Sequence, residues 1–385
     1  MLSSTIATRG ATVTTPPAFS VGSAAARPGE ITYGDLAVLD LPSGGQERLP
    51  VIIAQGRDDG PTLWLTANIH GAELTGLPVI HQLLNTDLVA ALRGTIVALP
   101  SLNPAGLRTA ERVPYYSHTD PNRLWPTERG ERAATAPPPS PYEQIIERVF
   151  AQFARRADLA IDLHNAAIRT IPFTIVDRVL YRGEADRARG KELGERLSSL
   201  ANAFGLSIVR EAVAERYVTQ VLHRSVTGAF VNALGVPALT IELGMTGAVD
   251  PAAVAAGVAG VRNALRWAGM LPGDPAPITA CPVIDPGYPT KRDDSARARV
   301  AGIVQQALLP GEHFAAGQTL ATAVDLWGRP LSEGAIVAPD DGWLIGWSNG
   351  LAKYAGQVVA SLAIRDDAPL VAAYPGQSWV VGRES

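Results

Sequence analysis

Cysteine is almost absent from this 385-residue chain: Cys281 stands alone, which excludes an intrachain disulfide framework and any cysteine-built zinc site. Net charge is also small, formally -4, so the basic face that nucleic acid demands has no compositional basis. No apolar run approaches the ~20 residues of a membrane-spanning helix. The first thirty residues, rich in Ser, Thr, Ala and Pro, lack the continuous apolar core of a secretion signal. Together these absences predict a cytoplasmic protein with neither a nucleic-acid nor a membrane partner, and they leave a homo-oligomer open. Histidine is scarce as well, with six in the chain, so the position of each one carries information.

What is present is a large apolar fraction, 46%, punctuated by 37 Gly and 30 Pro. A long core and many turns follow from that composition. Residues 1–30 are expected to form a loose arm. From residue 31 short apolar runs alternate with helical periodicity. "LAVLDL" and "RLPVIIAQG" predict an opening strand pair, and "TLWLTANIH", "GTIVALPSLNP", "DLAIDLH" and "VPALTIELG" predict buried strands. Between them "ELTGLPVIHQLL", "YEQIIERVFAQFARRA", "ARGKELGERLSSLANAFG" and "DPAAVAAGVAGVRNALRWAG" predict helices, the last capped by Asp250. The fold class is therefore α/β, a mostly parallel mixed sheet flanked by helices over residues 31–272. After a Pro-rich connector, helical patterns fade, and residues 273–385 are expected to be a connector and a smaller C-terminal all-β domain. Its closing part resembles a carrier domain, but the turn "PDDGW" offers no lysine to modify.

In open α/β sheets chemistry collects beyond the carboxyl ends of strands. "TANIHGAELTG" puts His70 at the end of one predicted strand with Glu73 just after it, "DLAIDLH" ends on His164, and "PALTIELG" carries Glu242. Two imidazoles and a carboxylate form the usual protein set of a catalytic zinc with one position left for water. His70, Glu73 and His164 are thus candidate ligands, against the plainer reading that each is an ordinary polar residue. Asp162 shares a strand face with His164 and could orient its ring. Glu242, an acid in an apolar strand, is the candidate general base, or else a member of a buried ion pair. His81, His118, His223 and His313 fall in a helix or in loops and carry no such pattern. The segment after "GTIVALPSLNP" adds Asn103, Arg108, Arg112, Asn122 and Arg123, and arginine forks there could bind a carboxylate or a developing oxyanion.

The pieces "HGAE", "NPAGLRTAER", "PNRLWP", "DLHNA" and "TIELG" occur in the order found in the succinylglutamate desuccinylase and aspartoacylase family of zinc-dependent deacylases, within the metallocarboxypeptidase clan, which the chain resembles from about residue 60 to 250. The resemblance implies one Zn2+ held by His70, Glu73 and His164, with Glu242 as general base and acid. It further implies Arg112 as the carbonyl-polarising arginine, Arg108 as its substitute, Asn122 and Arg123 as the pair that grips a substrate carboxylate, and Asn165 as a pocket-lining residue. Two departures stand out. Pro121 replaces the family's usual leucine, and "ERGERAATAPPPSPY", residues 128–142, is an extra loop that could act as a lid. The expected activity is hydrolysis of the amide of a small N-acyl amino acid, releasing a carboxylate and an amine. A carboxypeptidase or amidase of small peptides, and a metal-free binding protein on the same scaffold, are the alternatives.

Overall fold

The computed structural model describes residues 18–128, 137–166 and 169–376. Among them twelve strands form one mixed sheet. Its centre is parallel: Arg93–Leu99, Asp58–Ala67, Leu159–Ala166 and Ala238–Met245 lie side by side in that order. Ile31–Asp40 and Gln46–Gln55 add an antiparallel hairpin beyond Arg93–Leu99, joined through the turn that the "PSGGQ" stretch predicts.

Strand alternation assigns the two faces. Trp64 packs edge-on against Phe153 of the Pro141–Arg155 helix, centroids 4.8 Å apart, and Phe153 in turn contacts Trp125 and Phe230. On the other face Ala67 and Leu163 meet the helix Gly76–Leu83 so closely that a Cβ on Gly76 would fall 2.7 Å from Ala67 Cβ. That helix, Glu184–Phe204 and Pro251–Trp267 pack together there. Pro251–Trp267 opens on Asp250, whose side chain accepts from Ala252 N–H, as its sequence predicts. Ser140 and Glu143 close a reciprocal capping box at the start of Pro141–Arg155.

Several expectations need correction. Residues 19–26 are not loose: Phe19–Val21 and Ala24–Ala26 form a hairpin with Val21, Ala24 and Ala26 buried against the sheet, whereas residues 1–17 lie outside the described residues. The helix expected from Glu73 begins at Gly76, which leaves Glu73 in the loop before it, its carboxylate held between His70 and His164. Two short strands, the buried Phe173–Val176 and the half-buried Ser207–Arg210, extend the sheet where none was expected. The C-terminal unit is continuous with that sheet. Thr290–Asp293 pairs parallel with Ser207–Arg210 and antiparallel with Ala360–Arg365, which is followed by Gly342–Trp347 and His313–Phe314. A second sheet of four strands completes the C-terminal part. Arg178, fully buried, bolts the two parts together by pairing with Asp366 at 3.0 Å.

Candidate metal centre and active-site pocket

Three adjacent parallel strands bring the candidate residues together. Asp58–Ala67 ends in a loop whose shape is set by Asn68, held at φ 55°. Its side-chain amide donates to the carbonyls of His70, Gly71 and Glu73 at 3.1, 3.0 and 2.9 Å, and Ser101 Oγ donates to its Oδ1. Gly71 is required because a Cβ there would lie 2.0 Å from the backbone of Gly106. The loop therefore turns His70 and Glu73 back over the sheet, where His164 rises from the neighbouring strand.

The result is a tight, buried cluster. Ligand-capable atoms of His70, Glu73 and His164 all lie within 4.8 Å of one another. Glu73 Oε1 is 2.8 Å from His70 Nδ1, and Glu73 Oε2 is 2.8 Å from His164 Nδ1. Each ring's far nitrogen faces a second carboxylate: His164 Nε2 meets Asp162 Oδ2 at 2.7 Å, and His70 Nε2 meets Asp120 Oδ1 at 3.0 Å. Asp162 is itself fixed by Thr66 Oγ1 at 2.6 Å. A carboxylate on Nε2 holds the proton there and leaves the Nδ1 lone pair for a cation. Burial opposes charge on Glu73, but His70 and His164 outweigh it and hold its carboxyl far below the usual range. Burial likewise opposes charge on His164, and Asp162 and Glu73 outweigh it and raise its pKa.

Glu242 stands beside this cluster, opposite His164 on the adjacent parallel strand. Its Oε2 has no hydrogen-bond partner among the described residues. Burial, reinforced by Glu73 and opposed by His164 and Arg292, pushes its pKa up to about 7. The pocket these residues line measures about 420 Å³.

The remaining expected residues divide. Arg112 and Arg123 line the pocket. Arg112 Nη2 donates to Asp120 Oδ2 at 2.7 Å and its Nη1 lies 3.5 Å from Glu73 Oε1. Asn122 lines it too, but its Oδ1 accepts from Val226 N–H at 2.8 Å and its carbonyl takes Arg123 Nη1. Asn165 borders the pocket with its amide committed to the scaffold: Nδ2 donates to Thr75 Oγ1, Leu243 O and Met245 O, while its backbone N–H reaches Glu73. Arg108 is elsewhere. It forms a forked pair with Glu47 at 3.3 and 2.7 Å and does not line the pocket. Asn103 caps the Pro104–Thr109 helix and ties Ile69 O to Arg112 O. Most of the 128–142 loop, residues 129–136, lies outside the described residues.

Sequence reasoning missed Asp120, Asp177, Glu211 and Arg292. Asp120 had one signal, its place in "DPNR" next to the arginine pair. Arg292 had none, because it arrives from the C-terminal segment.

Residues 59–268 match the model of the succinylglutamate desuccinylase/aspartoacylase catalytic domain. The chain belongs to this family. Solved structures with the same fold include a succinylglutamate desuccinylase/aspartoacylase from Rhodobacter sphaeroides, 20% identical, covering 88% of this chain and 95% of that one at a TM-score of 0.68. The ectoine utilization protein EutE (DoeB) from Ruegeria pomeroyi, with product bound, is 20% identical over 87% of this chain and 95% of its own, also at 0.68. An aspartoacylase family protein from Mesorhizobium loti is 19% identical over 88% and 95%, at 0.64. At such identities these structures bear on the fold alone. No curated protein matches the chain. Among the described residues no helix is long and apolar enough to cross a membrane.

Proposed function

We propose that the protein is a zinc-dependent hydrolase that cleaves the amide bond of a small N-acylated amino acid. The observation that carries this reading is the convergence of His70 Nδ1, His164 Nδ1 and the Glu73 carboxylate beside Glu242, whose Oε2 has no partner among the described residues. The donor set suits zinc: two imidazole nitrogens, each backed by a carboxylate, and one carboxylate oxygen. Bound there, zinc would act as a Lewis acid toward the substrate carbonyl and make water easier to deprotonate.

The chain's own residues supply the rest. Glu242 accepts the proton of the attacking water and returns it to the leaving nitrogen, a task suited to a carboxyl near pKa 7. Arg112, anchored by Asp120, meets the negative charge that develops on the carbonyl oxygen. Arg123, with Asn122 setting its course, is assigned to a carboxylate of the substrate. Asn165 acts as a positioning residue for Glu73. Reaction in the cytoplasm, on a small soluble substrate, accords with the lone, partly buried Cys281. C-terminal residues such as Ser348 and Asn349 border the pocket, which favours a small substrate over a peptide chain.

Metal analysis of protein purified without added zinc, together with amine release from a panel of N-acetyl, N-succinyl and longer N-acyl amino acids, tests the proposal. About one zinc per chain and chelator-sensitive turnover are expected. Protein that binds these compounds without metal or turnover would instead be a binding protein on a hydrolase scaffold.

A further inference from the structure

We propose that Arg292 supplies an anion-binding fork of the pocket and takes a carboxylate of the substrate, a task that Arg123 shares rather than fills alone. The inference rests on reading the pocket as an N-acyl amino acid site. Arg292 lies on Thr290–Asp293, beyond residues 59–268 that match the catalytic-domain model, and reaches the pocket from the C-terminal side of the sheet.

The three guanidiniums of the pocket differ in how far their donors are spent. Arg112 places Nε and Nη2 on Asp120 Oδ2 at 3.3 and 2.7 Å. Arg123 gives Nη1 to the Asn122 carbonyl at 2.6 Å. The Arg292 side chain makes no hydrogen bond to any of the described residues. Its nearest acids are Glu211 Oε1 at 3.7 Å and Asp294 Oδ2 at 3.9 Å, with the arginine side chain 26% exposed. Those separations are ionic contacts, longer than hydrogen bonds. Glu211 and Asp294 therefore balance the charge and hold the side chain near its place, while its N–H donors remain open. A guanidinium cannot shed its proton to relieve that state, so a flat, bidentate anion is the natural partner. On an N-acyl amino acid such an anion is a carboxylate, of either the amino acid or the acyl chain.

Calorimetric titration of zinc-replete wild type, Arg292→Gln and Arg292→Lys with L-glutamate and with succinate tests the site without turnover. Wild type should bind at least one of them, Arg292→Gln at least ~10-fold more weakly, and Arg292→Lys in between, since it keeps charge but loses the fork, all at equal zinc content. Should Arg292→Gln unfold, because Glu211 loses its partner, Arg292→Lys carries the comparison. Steady-state kinetics then identifies the source of the carboxylate. An N-acetyl amino acid is compared with its α-amide, and an N-succinyl amino acid with the N-acetyl one. Removing the carboxylate that Arg292 grips should raise KM about 10- to 100-fold in wild type and hardly at all in Arg292→Gln. Equal losses in both proteins on every substrate, or undiminished anion binding by Arg292→Gln, would overturn the assignment. If wild type turns over none of these substrates while the binding difference holds, the deacylase reading fails and the anion site stands.

Discussion

Glu242 and His164 stand directly opposite each other on neighbouring parallel strands, so the candidate base and a candidate metal ligand share one rigid backbone register. Neither can drift without shifting the sheet. This arrangement holds the buried acid beside the candidate metal cluster. Glu242→Gln preserves shape and removes the proton acceptor. Turnover should fall by roughly 10²–10⁴ with zinc content and melting temperature unchanged. A variant that loses its metal would make Glu242 a ligand instead. The acid limb of the wild-type pH profile should sit at or below about 7, because Glu242 must be ionised to accept the proton.

Asp120 extends the same logic to the other imidazole. It accepts from His70 Nε2 and Arg112 at once, joining the candidate metal cluster to the proposed oxyanion residue. Asp120→Asn should weaken zinc affinity about 10- to 100-fold, measured by competition with a chromogenic chelator, with the fold retained. Unchanged affinity would reduce Asp120 to a loop anchor.

Much of this site was legible because strand ends announce themselves. His70, His164 and Glu242 each follow an apolar run, and Asp162 follows from the two-residue period of the same strand. Asp120 was hidden by its loop, since its partner lies fifty residues away and no local pattern encodes the contact. Arg292 was hidden for a different reason. The change in composition after residue 272 reads as a new domain, yet Thr290–Asp293 completes the central sheet. Phe173–Val176 and Ser207–Arg210 are four-residue strands, too short to show a period of their own.

Arg108 and Arg112 show what four residues can change. The Pro104–Thr109 helix ends at Ala110 with φ 55°, a left-handed stop that redirects the chain before Arg112. Arg108 stays on the helix and pairs with buried Glu47, whereas Arg112 enters the pocket. Arg108→Ala should leave kcat and KM unaltered and cost about 1–3 kcal/mol in urea unfolding, because Glu47 is left buried and unpaired. Arg112→Ala should instead lower kcat by about 10²–10³. A kcat effect from Arg108→Ala rivalling that of Arg112→Ala would return Arg108 to the site.

Asp177 carries the last expectation, which concerns stability rather than rate. It is 2% exposed and borders the pocket, with Oδ1 accepting from Tyr217 Oη–H at 2.6 Å and Oδ2 without a hydrogen-bond partner among the described residues. Burial raises its pKa from 3.8 to about 6, against the opposing pull of Thr227 and Tyr217. The sign follows directly. Below the unfolded value both states hold the proton and the group is neutral in the balance. Between the unfolded value and about 6 the folded state keeps a proton that the unfolded chain has released, so stability is lost as pH rises. Above about 6 the full penalty of a buried, half-partnered carboxylate is present. Asp177→Asn cannot ionise and escapes that loss. The stability of the variant relative to wild type should therefore rise by about 1–3 kcal/mol between pH 4 and pH 8, with most of the change complete near pH 6. Urea unfolding of the metal-free proteins at several pH values measures it. A constant offset between the two proteins across that range would mean that Asp177 titrates alike in both states, and that its partnerless oxygen is solvated after all.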